Sequence, residues 1–342
     1  MRNVLFLTCF LKKGYGVSVV LDIFARKMAA QGATVAVATL DEDGFYTGFP
    51  VHRVDRTVES VRAVANQMAN PIVIAATTPY FEMLRELSQT YECWAWEMGD
   101  PTPSLFPADR QAREDIIANK KIIAYPYAKG VFVLSHFLKA EIGLKNGIVI
   151  HLGSDHVPDL GCKSPAEVSN AENRPLKIGT LVRFGKGEAF YKGNHLFAQL
   201  FEELKSSGTA LEYHAAGAGA PEDVVEMQRQ GVVTHLNLSD EDKASYLRSL
   251  DVFISFSLWE GFNLPVVEAQ ALGTVGLAFD VGAHPEVTPF VCRDLAEMKQ
   301  LVQTFSENRA YLLECSSLCY TFVRQRFNWT RAARQMASCL SL

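Results

Sequence analysis

Two carboxylates with seven residues between them, Glu260 and Glu268, bracket a stretch whose residue types suit the handling of an anion. Asp251 to Ser257 before them reads as a buried strand, with Val252, Phe253, Ile254 and Phe256. A glycine turn follows at Gly261. Pro265 suits the first turn of a helix, where its missing N–H is no loss, and Gly273 is a good C-terminal stop, so the pattern predicts a short helix over about 265–272. The start of a helix presents unpaired N–H groups and a partial positive charge, which fits a diphosphate. Carboxylates facing the phosphates would repel them. On either flank they can instead accept hydrogen bonds from hydroxyls, ribose on one side and hexose on the other, which describes a nucleotide-sugar. Two glutamates alone fit equally well an acid favoured by the helix dipole and a loop charge.

The residues around them narrow the choice. The Gly-Phe-Asn-Leu-Pro turn between the two acids, then Ala271-Leu272-Gly273, a strand and Gly282-Ala283-His284-Pro285-Glu286, together resemble glycosyltransferase family 4. The resemblance implies an α/β protein of GT-B fold, two Rossmann-like parallel-sheet domains facing each other across a cleft. It implies retaining transfer of a sugar from a nucleotide-diphosphate donor to an acceptor hydroxyl; from the residues, neither an Asp-x-Asp metal motif nor any other metal site is expected, and no other cofactor. By that likeness Glu260 holds donor sugar hydroxyls and Glu268 the ribose. Gly261, Phe262, Asn263 and Leu264 meet the phosphates through backbone N–H groups. The family also places an Arg and a Lys on the first loop of the second domain to neutralise the departing diphosphate. Arg183 and Lys192 fit best, although the loop is longer than usual and Lys186 is a rival for the lysine. Fixed cations and helix N–H groups can stabilise that leaving charge without a metal.

Length and composition bound the alternatives. At 342 residues, two domains of ordinary size are expected, and 48% apolar with 21% charged residues indicates a globular chain with a large core. A net charge of −5 argues against a dedicated nucleic-acid binder. The apolar run at residues 3–11 is interrupted by Lys12 and Lys13 and lacks a small-x-small cleavage site, so a buried first strand is expected rather than a signal peptide. Nothing approaches a membrane span. Seven scattered cysteines read as free thiols in a cytoplasmic setting.

In the first half, a strand at 3–8, the loop Lys12-Lys13-Gly14-Tyr15-Gly16, an amphipathic helix and a strand at 34–39 make a βαβ unit. Gly14-x-Gly16 lacks the third glycine of a dinucleotide fingerprint, Val19 standing there, which weakens a dehydrogenase reading. The resemblance makes Gly16, with Gly14, a contact to the donor phosphates; a plain helix-start turn fits as well. Alternation continues through strands near 71–77, 93–96, 130–134 and 148–152, all continuous apolar runs as expected for sheets covered on both faces. Trp94-Ala95-Trp96-Glu97 ends one of them where many family members carry a His. There Glu97 is a candidate to take a hydrogen bond or proton from the acceptor hydroxyl, with Trp94 or Trp96 stacking on a sugar, or else a strand-end acid over core tryptophans.

Residues 156–175, polar and proline-bearing, read as a linker between a first domain at 1–155 and a second at 176–327, with a helix at 328–342 packing back on the first. Loops at Gly217-x-Gly219 and 235–239 are candidate edges for the base. The expected partners are a nucleotide-sugar donor and a carbohydrate, lipid-linked or small-molecule acceptor. A lipid-linked acceptor implies peripheral contact with the inner membrane face. Two rivals remain: a GT-B nucleotide-sugar epimerase or hydrolase, and a binder without turnover.

Overall fold

The computed structural model describes residues 3–169, 174–184 and 190–342. The chain divides into two compact units, Met1–Leu152 with Trp329–Leu342, and Gly153–Asn328.

The first unit runs β1 (Asn3–Leu11), α1 (Gly16–Ala29), β2 (Thr34–Glu42), β3 (Val51–Arg53), α2 (Val58–Ala65), β4 (Pro71–Ala75), α3 (Tyr80–Leu87), β5 (Glu92–Glu97), α4 (Arg110–Asn119), β6 (Val131–Val133), α5 (His136–Ile142) and β7 (Ile148–Val149). Its sheet has seven strands in the order β3-β2-β1-β4-β5-β6-β7, and each pairing is parallel. The apolar N-terminus is a central strand, with Val4 to Leu7 fully buried. Ser135 caps α5 by accepting from the Leu138 N–H at 3.1 Å, as its serine-started pattern suggests. The C-terminal helix Trp329–Cys339 belongs to this unit: Trp329 meets Phe24 of α1 edge-on at 5.7 Å, and Thr330 accepts from Lys27 at 3.0 Å. Strand β3 is three residues long and partly exposed, too short for its sequence to mark it, whereas α2 buries Val58, Val61, Val64 and Ala65 on one helical face.

The second unit runs α6 (Pro165–Ser169), β8 (Leu176–Arg183), α7 (Asn194–Ser206), β9 (Leu211–Ala218), α8 (Val225–Arg229), β10 (Val233–Leu236), α9 (Asp240–Ser249), β11 (Val252–Ser255), α10 (Leu264–Ala271), β12 (Val275–Phe279), α11 (His284–Val287), β13 (Phe290–Cys292), α12 (Leu295–Glu307) and α13 (Arg309–Arg326). Its six strands, ordered β10-β9-β8-β11-β12-β13, are again parallel throughout. In both sheets the order reverses beside the first strand, at β1/β4 and at β8/β11. Open parallel sheets bind ligands outside the C-terminal strand ends at such a point. Strand Val252–Ile254 and helix positions Val266 and Val267 bury completely against the surrounding core.

The stretch expected to be a linker is largely built into the second unit. Val157 and Val168 are buried, and the buried Lys163 ammonium donates to the Leu250 carbonyl. Arg248 ties the Gly161 carbonyl at 2.8 Å and Glu167 at 2.7 Å to α9. Its polar side chains make tertiary contacts rather than a free tether: Lys163 caps the end of α9, His156 meets Glu268 and Asp159 accepts from Tyr320.

Candidate active site

Strand β11 ends at Ser255 and the chain turns through 256–263 into α10. Asn263 stands at φ 66° and ψ 69°, a left-handed conformation that Asn tolerates better than most residues, and its side chain accepts from the Val266 N–H. Pro265 occupies the first turn and Gly273, at φ 76°, ends the helix, close to the span read from the sequence. Phe262 turns its ring inward, edge-on to Phe327 at 5.4 Å.

Residues 191–193, just ahead of α7, are fastened against this turn. Leu258 N–H donates to the Tyr191 carbonyl at 2.8 Å. At Gly193, φ 71°, an added Cβ would come within 2.1 Å of the Phe256 carbonyl oxygen, so only glycine permits the close approach. That approach delivers Lys192, whose Nζ lies 2.6 Å from Glu260 Oε1. Burial works against the Lys192 ammonium, but the Glu260 carboxylate more than reverses it and holds the amine above its ordinary value. Burial likewise opposes the Glu260 charge, and Lys192, with smaller help from His284 and Ser257, brings its pKa down. Two of the expected site residues from different loops are thus in direct contact.

Glu268, one turn into α10, is buried. Its Oε1 takes bonds from His156 Nε2 at 2.8 Å and Lys243 Nζ at 3.0 Å. Burial raises its pKa, and Lys243 followed by His156 overrides this to bring it down to about 2. Neither partner was evident beforehand: His156 lies in the supposed linker and Lys243 on α9, and only the fold brings them to α10.

Arg183 is the last residue of β8, in register with Ala218 at the C-terminal edge of the sheet. Lys186, the rival to Lys192, lies outside the described residues. The two loops proposed for the base are tied together: Asn237 Nδ2 donates to the Gly219 carbonyl at 2.9 Å and its Oδ1 accepts from the Gly219 N–H at 3.2 Å.

In the first unit Gly14 sits at φ 81°, where a side chain is strained, and Gly16 opens α1. A Cβ at either would meet nothing within 4 Å. Glu97 ends β5 and is buried. Its oxygens accept from Tyr125 OH at 2.6 Å, from the Gly99 N–H at 2.8 Å and from Lys120 Nζ at 3.1 and 3.2 Å. Lys120 also pairs with Asp100 and lies 4.7 Å from the Phe81 ring centroid. Burial raises the Glu97 pKa, yet Lys120, Tyr125 and Gly99 together hold it below its ordinary value. Such a carboxylate is a weak proton acceptor, and the geometry gives it the work of anchoring Lys120 and the turn at 120–127. The alternative of sugar stacking on Trp94 or Trp96 does not hold. Trp94 stacks on Phe132 at 4.8 Å and 7°, and Trp96 is enclosed by Phe6 and Phe24, so both faces serve the core.

Contrary to the expectation of no Asp-x-Asp, the chain carries two such triplets, Asp41-Glu42-Asp43 and Asp240-Glu241-Asp242, a spacing that can hold a metal. Asp41 pairs with Lys12 and Arg53, and Asp43 accepts from the Lys13 and Phe45 N–H groups. Asp240 to Asp242 form the first turn of α9, where Ser239 caps the helix and Asp242 accepts from its hydroxyl at 2.6 Å. Asp41, Asp43 and Asp242 thus have partners within the fold.

Solved structures cover this arrangement end to end. The sucrose-phosphate synthase of Thermosynechococcus elongatus superposes with a TM-score of 0.81 at 17% identity, covering 100% of this chain and 98% of that one. HepE of Anabaena, solved with UDP and glucose, superposes at 0.78 with 18% identity over the whole of both chains. The fold is GT-B. Residues 178–308 match the family model described as glycosyl transferases group 1. Among curated proteins, an MMP alpha-(1->4)-mannosyltransferase of Mycolicibacterium hassiacum is 52% identical over 56 residues, 16% of this chain and 14% of that protein. A lipopolysaccharide core biosynthesis mannosyltransferase, LpsB, of Rhizobium meliloti is 29% identical over 113 residues, 30% of this chain and 31% of that one. The matched part thus spans less than a third of either relative. Together these likenesses support a glycosyltransferase.

Proposed function

We propose that the protein transfers a hexose from a nucleoside-diphosphate sugar to an acceptor hydroxyl, with retention at the anomeric carbon and without a metal, in the manner of family 4. The Lys192–Glu260 contact beside the start of α10 carries this reading, since it puts a cation, an acid and a helix N-terminus at one strand edge. The diphosphate would take Lys192 and the N–H groups of the 261–264 turn. Release of Lys192 would leave Glu260 to accept from sugar hydroxyls, while Glu268, fixed by Lys243 and His156, would accept from the ribose.

As the bond from the anomeric carbon to the β-phosphate oxygen breaks, Arg183 and Lys192 would oppose the growing charge. The acceptor oxygen would bond on the same face and its proton leave on the departing phosphate oxygen, which suits a Glu97 already saturated by Lys120 and Tyr125. Gly14 and Gly16 are our candidates for first-unit contacts to the donor. The acceptor is a carbohydrate, a small molecule or a lipid-linked sugar, the last reached by peripheral membrane contact from the cytoplasm. No helix among the described residues is long and apolar enough to cross a membrane.

The test is a binding and turnover screen with UDP-, GDP-, ADP- and dTDP-hexoses. One should bind, yield nucleoside diphosphate only slowly alone, and transfer its sugar with retention when an acceptor is supplied. Rapid free-sugar release without acceptor would favour the hydrolase, and tight binding without turnover the binder.

A further inference from the structure

His284, the first residue of α11, is fully buried. The turn that carries it is bound to the Glu260 loop. The Ala283 N–H donates to the Glu260 carbonyl at 2.9 Å, and at Gly282, φ 59°, a Cβ would come within 2.6 Å of that carbonyl oxygen. Its ring faces a chain of polar groups with a determinate order. Nδ1 lies 2.9 Å from the Phe279 carbonyl, which can only accept, so Nδ1 carries the proton and Nε2 of the neutral ring is an acceptor.

Asn263 Nδ2 lies 2.8 Å from Nε2 and 2.7 Å from Ser255 Oγ, which uses both amide hydrogens. Oδ1 is then the atom facing the Val266 N–H at 3.4 Å. Turning the amide round would set Oδ1 against the Nε2 lone pair and an NH2 group against the Val266 N–H. The buried ring therefore decides which way the amide points, and the amide decides whether α10 is capped while Asn263 holds its left-handed backbone.

We propose that His284, as the neutral Nδ1–H tautomer, is a positioning residue for the donor-binding turn, acting through Asn263 on the N–H groups at the start of α10. The inference rests on the proposed function for what the turn binds, while the positioning itself rests on the hydrogen-bond order alone. Burial disfavours the charged ring. Glu260, the Phe279 carbonyl and Asp280 work the other way, and Lys192 adds to the burial effect, leaving the pKa below its ordinary value. A proton on Nε2 would oppose two donors and release the cap.

The first experiment is a long-range 1H–15N spectrum of the native protein at pH 7.5, with the ring assigned by its loss in His284→Gln. A neutral ring protonated on Nδ1 is expected; a ring protonated on Nε2, or an imidazolium, overturns the proposal. The second is calorimetric titration with UDP and amide exchange over 264–271. His284→Leu, which removes the acceptor, should weaken UDP binding about tenfold and loosen the first turn of α10, whereas His284→Gln should stay within about threefold of native. Native-like UDP binding and exchange in His284→Leu overturn the proposal. If native protein binds none of UDP, GDP, ADP and dTDP, the nucleotide reading fails, and the tautomer together with the exchange comparison still decides the positioning claim.

Discussion

Replacing the buried Glu268 by Gln removes the charge that faces the half-buried Lys243 and His156 and leaves them facing a neutral amide. The fall of its pKa from 4.5 to about 2 corresponds to ~3 kcal/mol of favourable interaction with the ionised form, and its burial calls for no solvent discount. Breaking one partner of a buried ion pair costs a similar ~3–5 kcal/mol. The sign follows from a carboxylate whose pKa is lower folded than unfolded. The stabilisation is complete above about pH 4.5 and disappears as pH falls toward 2. Amide exchange of the 264–271 peptide reads opening of this part of the second unit without assuming that the whole chain unfolds in one step. At pH 7, exchange through opening should be roughly 150-fold faster in Glu268→Gln than in native protein. The ratio should shrink below pH 4.5. A ratio near unity at pH 7, or one that grows on acidification, would refute the reasoning.

Lys192→Ala should lower turnover by about 10²–10³, as loss of a group acting on developing charge does, with a larger fall in kcat/KM because the same ammonium also grips the bound donor, measured by nucleoside-diphosphate release. Gly193→Ala should cost at least ~2 kcal/mol in melting experiments, because its Cβ would stand 2.1 Å from a carbonyl oxygen at positive φ. Gly16→Ala meets no neighbour, so it should leave melting unchanged and impair only donor use if a ligand approaches there. His214 Nδ1 and His235 Nε2 lie 3.1 Å apart, and burial lowers both pKa values. Neutral in the fold, they must gain protons on acid unfolding, so stability should fall as pH drops below about 6.5, less steeply in His235→Gln. Thermal melting between pH 5 and 8 checks this.

The candidate turn was legible because its signals are local: a Pro in the first helical turn, a Gly at the end and two acids at fixed spacing. The parallel sheets were legible because strands covered on both faces must be continuously apolar. Partners drawn from distant elements were not. His156 and Lys243 acquire their roles only when the segment ahead of α6 and helix α9 come together on α10, and no spacing announces them. Composition also misled in two places. Residues 156–169 are polar because His156, Asp159, Lys163 and Glu167 make tertiary hydrogen bonds and ion pairs, and Trp94 and Trp96 end a strand yet pack inward. The carboxylate of Glu97 was found by its position at a strand end, but two of its three donors, Lys120 and Tyr125, come from a turn twenty to thirty residues later.

The claim that the second unit grips a diphosphate through Lys192 and the start of α10 is tested most directly by calorimetric titration of native protein and Lys192→Ala with UDP, GDP, ADP and dTDP, each against its parent nucleoside. At least one diphosphate should bind native protein far more tightly than its nucleoside, and Lys192→Ala should lose most of that difference. Equal affinity for diphosphate and nucleoside in native protein, or a difference that survives the loss of Lys192, would contradict it.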